Sequence, residues 1–184
     1  ITPPQLCFAA DVLFAARNQS HANITRMQQQ ADPTCRHKPF KNPLGSQWHN
    51  DAMSITVCVF CGSRTGSNPG WSTASKQLGS EIAKHGWRLV FGGGGGGLMG
   101  ELARGAIASH GTVIGIIPNF LTEAEPVIQD LSELYVVESM IERKEMMVDL
   151  SDIFIVLPGG IGTIEELFEV WTGNHIRAYT KPIV

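Results

Sequence analysis

From residue 55 onward, short apolar runs alternate with stretches whose apolar residues recur every three or four positions, the pattern of strands separated by amphipathic helices. Residues 55–60 read as a first strand. Asn68 and Pro69 then supply a cap and a first helical residue, and Trp71, Ala74, Leu78 and Ile82 keep helical spacing until Gly86 stops the helix. Residues 88–91 form a second strand, and the glycine run 92–97 opens a helix from about Leu98 to Ser109. Residues 112–117 make a third strand ended by Pro118, followed by a less regular stretch. A fourth strand at 134–137, a helix at 140–150, a fifth strand at 153–157 and a helix from Thr163 to about Trp171 complete the series, with a sixth strand beginning at 182–184.

This order predicts an α/β fold, a Rossmann-like doubly wound parallel sheet with flanking helices, whose ligands sit beyond the carboxyl ends of the strands. The sixth strand meets the end of the sequence with no helix after it, so the pattern reads as truncated at the C-terminus.

Composition divides the chain. Nineteen of the 20 glycines follow Met53, and residues 1–52 carry Gln-, Asn-, His- and Pro-rich text without periodicity. We therefore expect residues 1–52 to be a disordered or non-native extension and residues 53–184 to be the folded Rossmann-like domain. Cys35, His37 and His49 lack the second cysteine pair of a structural zinc site. The formal charge of −3, from 14 basic and 17 acidic residues, removes the basic field that non-specific nucleic-acid binding needs. The longest apolar runs span only a handful of residues, far short of the roughly 20 that cross a bilayer. The apolar stretch 6–16 is broken by Asp11 and has no basic region before it, so no signal peptide is expected. Four cysteines are too few for a disulfide scaffold, which leaves a reduced cytoplasm as the expected setting.

The segment from Pro158 to Glu166, PGGIGTIEE, lies between an apolar strand and an amphipathic helix. Its glycines let the backbone approach an anion, and the helix that follows adds its positive end. Thr163 and Glu166 equally fit a capping box, in which Glu166 bonds back to the helix start rather than acting on a ligand; Glu165 lies on a neighbouring face that suits solvent. The run 92–97, with Gly93 and Gly94 at its centre, is a flexible backbone cradle at a helix start. It is no dinucleotide fingerprint, because it follows the second strand and Ile117 is followed by Pro118 and Asn119 where an acid is required. Arg143 shares a helical face with Met140 and Met147, so it either reaches solvent or meets an anion in a cleft. Cys58 and Cys61 run through a strand end and read as core thiols. The turn Gly62-Ser63-Arg64-Thr65-Gly66 offers hydroxyl and guanidinium contacts to a ligand, or is a plain turn. His85, His110 and His175 have no metal or triad spacing.

Taken together, Val59-Phe60-Cys61-Gly62-Ser63, the glycine run with Leu98-Met99-Gly100, Arg143-Lys144 and the Pro158–Glu166 stretch resemble the Lonely Guy family of cytokinin-activating phosphoribohydrolases, long mislabelled lysine decarboxylases. The resemblance covers residues 53–184 and implies a homodimer that hydrolyses the N-glycosidic bond of N6-modified AMP without metal or redox cofactor. It assigns Arg143 and Glu166 to the catalytic pair, and Gly159, Gly160, Gly162 and Thr163 to the phosphate loop. Lys144, Glu125, Glu165, Ser63, Met99 and Thr172 match further substrate-contacting positions. Where the family usually has a second serine after Gly-Ser, this chain has Arg64. A general AMP or purine-nucleotide nucleosidase and a non-catalytic nucleotide carrier are the alternative functions. For the dimer, the Met-rich helix at 140–150 is the expected apolar surface.

Overall fold

The computed structural model describes residues 54–124 and 126–184. Five strands, β1 (Thr56–Phe60), β2 (Arg88–Phe91), β3 (Val113–Pro118), β4 (Glu133–Val137) and β5 (Ile153–Val156), form one sheet in the order β4-β3-β2-β1-β5. All four pairings are parallel, with Cys58 opposite Val90 on one side and Phe154 on the other. β1, β2 and β3 are buried along almost their whole length, as expected of strands covered on both faces and rich in Val, Ile and Phe.

Helices α1 (Gly70–Lys84) and α2 (Gly97–Ala108) cover one face, and α3 (Met140–Leu150) and α4 (Ile161–His175) the other. The first core layer joins Val57, Leu89, Phe91 and Ile155 to Leu78, Ile82, Leu98 and Leu102. The second joins Phe60, Val90, Ile114 and Phe154 to Met146, Met147 and Val170. α1 and α2 cross at backbone contact: a Cβ at Gly79 would overlap the Leu102 carbonyl oxygen, and one at Gly105 the Lys76 carbonyl oxygen. Two glycines thus set how closely that layer packs.

The elements agree with the sequence pattern, with differences at a few ends. The first helix is capped at Pro69 and begins at Gly70, one residue later than the expected Asn68 cap and Pro69 start, and the last runs from Ile161 to His175, beginning two residues before the expected Thr163 and ending four after Trp171. The expected sixth strand is a short parallel bridge, in which Phe154 N–H donates to the Pro182 carbonyl and Val156 N–H to that of Val184, both at 2.9 Å. Asn174 holds this segment by bonding both the N–H and the carbonyl of Lys181. Residues 1–53 and Glu125 lie outside the described residues, and with them the extension and the Cys35, His37 and His49 grouping.

Strands β1 to β4 progress in one direction across the sheet, and β5 joins the opposite side of β1. The chain order therefore reverses between β1 and β5. In open α/β sheets the ligand crevice forms at that reversal, beyond the carboxyl ends.

Candidate functional site

A cavity of about 660 Å³ opens at that place, lined by the turn after β1, the turn after β5 and the start of α4. Gly160 caps α4 in an extended conformation with no side-chain hydrogen bond, and the first turn holds no acid. Nothing lies within 4 Å of a Cβ placed on Gly160 or Gly162, whereas one on Gly159 would overlap the Thr163 hydroxyl. The turn thus presents open backbone and a positive helix end to the cavity. Because the helix begins at Ile161, Thr163 is its third residue and Glu166 its sixth. A capping box through that pair is therefore ruled out, and the Glu166 side chain is free of backbone duty at the helix start.

Arg143 is brought to the same place from α3. Ser139 caps that helix by accepting from Glu142 N–H, while Glu142 accepts from Glu138 N–H. From the next position Arg143 extends under the strand ends and is only 7% exposed. Its Nε donates to the Ile116 carbonyl at 3.1 Å and its Nη2 to the Gly92 carbonyl at 3.2 Å. The third nitrogen, Nη1, lies 3.4 Å from Glu166 Oε1. The guanidinium is held by two fixed carbonyls and aimed at one carboxylate, so Arg143 is not a solvent-facing helix residue.

Glu166 is 8% exposed. Burial pushes its carboxyl up to about 7, against the downward pull of Arg143, with Glu165 and Glu169 adding to the rise and Lys144 opposing it. A carboxyl poised there exchanges protons near neutral pH, as a general acid or base requires. Burial raises the Cys58 and Cys61 thiols above their ordinary range, so both are protonated core groups.

Of the other expected contacts, Ser63, Met99, Gly159, Gly160, Gly162 and Thr163 line the cavity. Gly93 and Gly94 do not: a Cβ on Gly93 would lie 2.9 Å from that of Ile117, and Gly94 pairs with Val127. Lys144, Glu165 and Thr172 border a separate shallow groove, where Lys144 Nζ lies 2.5 Å from both Glu165 and Glu169. Glu125 lies outside the described residues. Gly92 and Trp71, not among the expected contacts, also line the cavity. Gly92 was findable as the first residue past a strand's carboxyl end; Trp71 sits in a helical apolar pattern and gave no separate signal. Among the described residues no group of three or more His, Cys, Asp or Glu side chains is placed to hold a metal.

The fold and the site define a Rossmann-like α/β protein with an open, uncapped helix start at its topological switch point and a buried Arg–Glu pair beside it. The pattern of the family described as "possible lysine decarboxylase" matches residues 99–184. The chain is 45% identical over 130 residues to a cytokinin riboside 5'-monophosphate phosphoribohydrolase of Rhodococcoides fascians, covering 70% of this chain and 66% of that protein. It is 43% identical over 129 residues to a Mycobacterium tuberculosis protein of the same description, covering 70% and 68%. A probable rice relative, from Oryza sativa subsp. japonica, is 44% identical over 127 residues, covering 69% and 52%. The chain belongs to this Lonely Guy family of phosphoribohydrolases. It spans 66% and 52% of the length of the R. fascians and rice relatives.

Solved structures share the fold. The molybdenum cofactor carrier protein of Chlamydomonas reinhardtii superposes with a TM-score of 0.60 at 23% identity, covering 71% of this chain and 75% of that one. The molybdenum cofactor binding protein of Rippkaea orientalis gives 0.59 at 26% identity, with the same coverage.

Proposed function

We propose that this cavity hydrolyses the N-glycosidic bond of an N6-modified adenosine 5'-monophosphate, releasing the free base and ribose 5-phosphate. The observation that carries this reading is the pairing of Arg143 with a near-neutral Glu166 beside the uncapped start of α4. The 5'-phosphate sits against the backbone from Gly159 to Thr163, which directs the ribose toward Glu166. In its ionised form the Glu166 carboxylate takes a proton from water as the water oxygen bonds to the anomeric carbon. The carbon–nitrogen bond breaks with its electron pair going to the base, which then takes up a proton. Positive charge on the sugar in the transition state is stabilised by the same carboxylate. Arg143, fixed by the Gly92 and Ile116 carbonyls, keeps that carboxylate oriented and ionisable.

A homodimer belongs to the same proposal. α4 leaves Ile161, Ile164, Phe168 and Trp171 exposed at three- and four-residue spacing, an apolar stripe that suits a second copy. Met146 and Met147 of the Met-rich α3 are buried in the core, so the support comes from α4. No helix among the described residues is long and apolar enough to cross a membrane, and the two buried free thiols support a cytoplasmic setting. A carrier that binds nucleotide without chemistry is the second reading, favoured by the shared fold of the cofactor carriers and opposed by the Arg143–Glu166 geometry. Incubation with N6-isopentenyl-AMP and with AMP, following base and ribose 5-phosphate, separates these readings. Release that disappears in Glu166→Gln supports the hydrolase, the two substrates report its breadth, and binding without release supports the carrier.

A further inference from the structure

We infer that Arg64 is the cation by which this cavity selects phosphorylated ligands over the corresponding nucleosides. The inference rests on the reading that the turn after β5 takes the 5'-phosphate. Among the described residues three charged side chains line the cavity, Arg64, Arg143 and Glu166. Two of them face each other at 3.4 Å, and Arg143 is further engaged by two backbone carbonyls. Its guanidinium is thus already engaged within the protein before any ligand arrives. A phosphate monoester, carrying between one and two negative charges near neutral pH, therefore meets a helix end equivalent to about half a charge and, among the described residues, one basic side chain with no partner.

That side chain is Arg64, exposed and without an ion pair among the described residues. Its backbone is fixed beside the anion turn. Gly62 N–H donates to the Pro158 carbonyl at 3.1 Å, and a Cβ on Gly62 would lie 3.3 Å from Gly159 Cα and 3.2 Å from the Arg64 carbonyl oxygen. On the other side, α2 presses against the same turn through Gly97, where any Cβ would overlap the Ser63 and Arg64 backbone. A guanidinium springing from this wedge needs only rotamer changes to reach a phosphate on the neighbouring turn, and its planar fork matches phosphate oxygens bidentately. A serine in this place would offer one hydroxyl and no charge.

The test compares Arg64→Ser and Arg64→Lys with the wild type, on AMP or N6-isopentenyl-AMP and on adenosine or N6-isopentenyladenosine. We expect Arg64→Ser to raise the KM for the nucleotides by about 10- to 100-fold, the size of a lost charge-assisted contact. kcat should fall less than KM rises. Arg64→Lys should recover part of the loss, and inhibition by inorganic phosphate should weaken in parallel. Affinity for the nucleosides and the melting temperature should stay at their wild-type values. An unchanged nucleotide KM in Arg64→Ser overturns the inference, as does a parallel loss for nucleotide and nucleoside. If the wild type releases no base, calorimetric titration with AMP and adenosine makes the same comparison on affinity; the hydrolase reading then fails on its own while the role of Arg64 is still decided.

Discussion

Two glycine-rich turns in this molecule join a strand to a helix, and they do different things. In the turn leading into α2, the Leu98 and Met99 N–H groups point at the Gly62 carbonyl, at 3.0 and 3.4 Å. The positive end of that helix is spent inside the protein, tying the turn after β1 to the sheet. In the turn leading into α4, the first N–H groups have no side-chain cap and face open cavity. Glycine content is greater in the first turn and open, uncapped backbone in the second. An anion site is identified by the donors that folding leaves unpaired, and a count of glycines does not report that.

The largest effect we expect comes from the acid beside the open turn. Glu166→Gln should lower kcat by about 100- to 10,000-fold, the usual worth of a positioned acid or base, while the protein stays folded. Stability carries an independent sign. The Glu166 carboxyl is raised from 4.5 to about 7 by folding, so the folded state holds this proton more tightly than the unfolded one. Its contribution is full below about pH 4.5, is lost as pH rises toward 7, and amounts to at most about 3 kcal/mol. The wild type should therefore lose stability relative to Glu166→Gln over that window in urea unfolding. A difference that grows in the opposite direction would show that the carboxyl is stabilised as an anion.

One methyl group in each turn sharpens the contrast. In Gly92→Ala the new Cβ overlaps Arg143 Nη2, so the guanidinium must leave its carbonyls and its aim at Glu166. We expect kcat/KM to fall by about 100-fold, as for an ångström-scale misplacement, with about 1–3 kcal/mol of destabilisation from overpacking. Gly160→Ala meets no atom within 4 Å and keeps a φ of −91° that alanine tolerates. Its melting temperature should match the wild type while nucleotide affinity drops, because the methyl occupies the space that the proposed function gives to the 5'-phosphate. If the two variants behave alike, the turns are not the different devices described above.

The parallel α/β architecture was legible because its strands are buried on both faces and read as continuous apolar runs such as residues 153–157. The PGGIGT turn was legible from glycines placed between such a strand and a helix. The true start of α4 was not, since Thr163 and Glu166 form a convincing cap pattern and only the three-dimensional course of Gly159 and Gly160 shows the helix beginning earlier. The burial of Arg143 was equally hidden. Its partners are carbonyls of Gly92 and Ile116, and a backbone acceptor has no side-chain signature. In the run 92–97 identical residues concealed opposite orientations, with Gly92 facing the cavity and Gly93 the Ile117 side chain.

The smallest effect concerns Lys144, adjacent in sequence to Arg143 yet on another side of α3. Its ammonium sits between Glu165 and Glu169 at 2.5 Å from each, and those carboxylates are 51% and 40% exposed. Solvent-screened pairs of this kind are worth about 0–1 kcal/mol, so Lys144→Ala should shift urea stability by no more than that. In the proposed mechanism its influence runs through Glu166, whose pKa Lys144 lowers and Glu165 and Glu169 raise. Removing the lysine should move the acid limb of the kcat/KM profile to slightly higher pH with little change in its plateau. A collapse of the plateau comparable to that in Glu166→Gln would place Lys144 at the substrate, through a rearrangement of α3 or a neighbouring copy, and would move the boundary of the site from the open turn to the groove along α4.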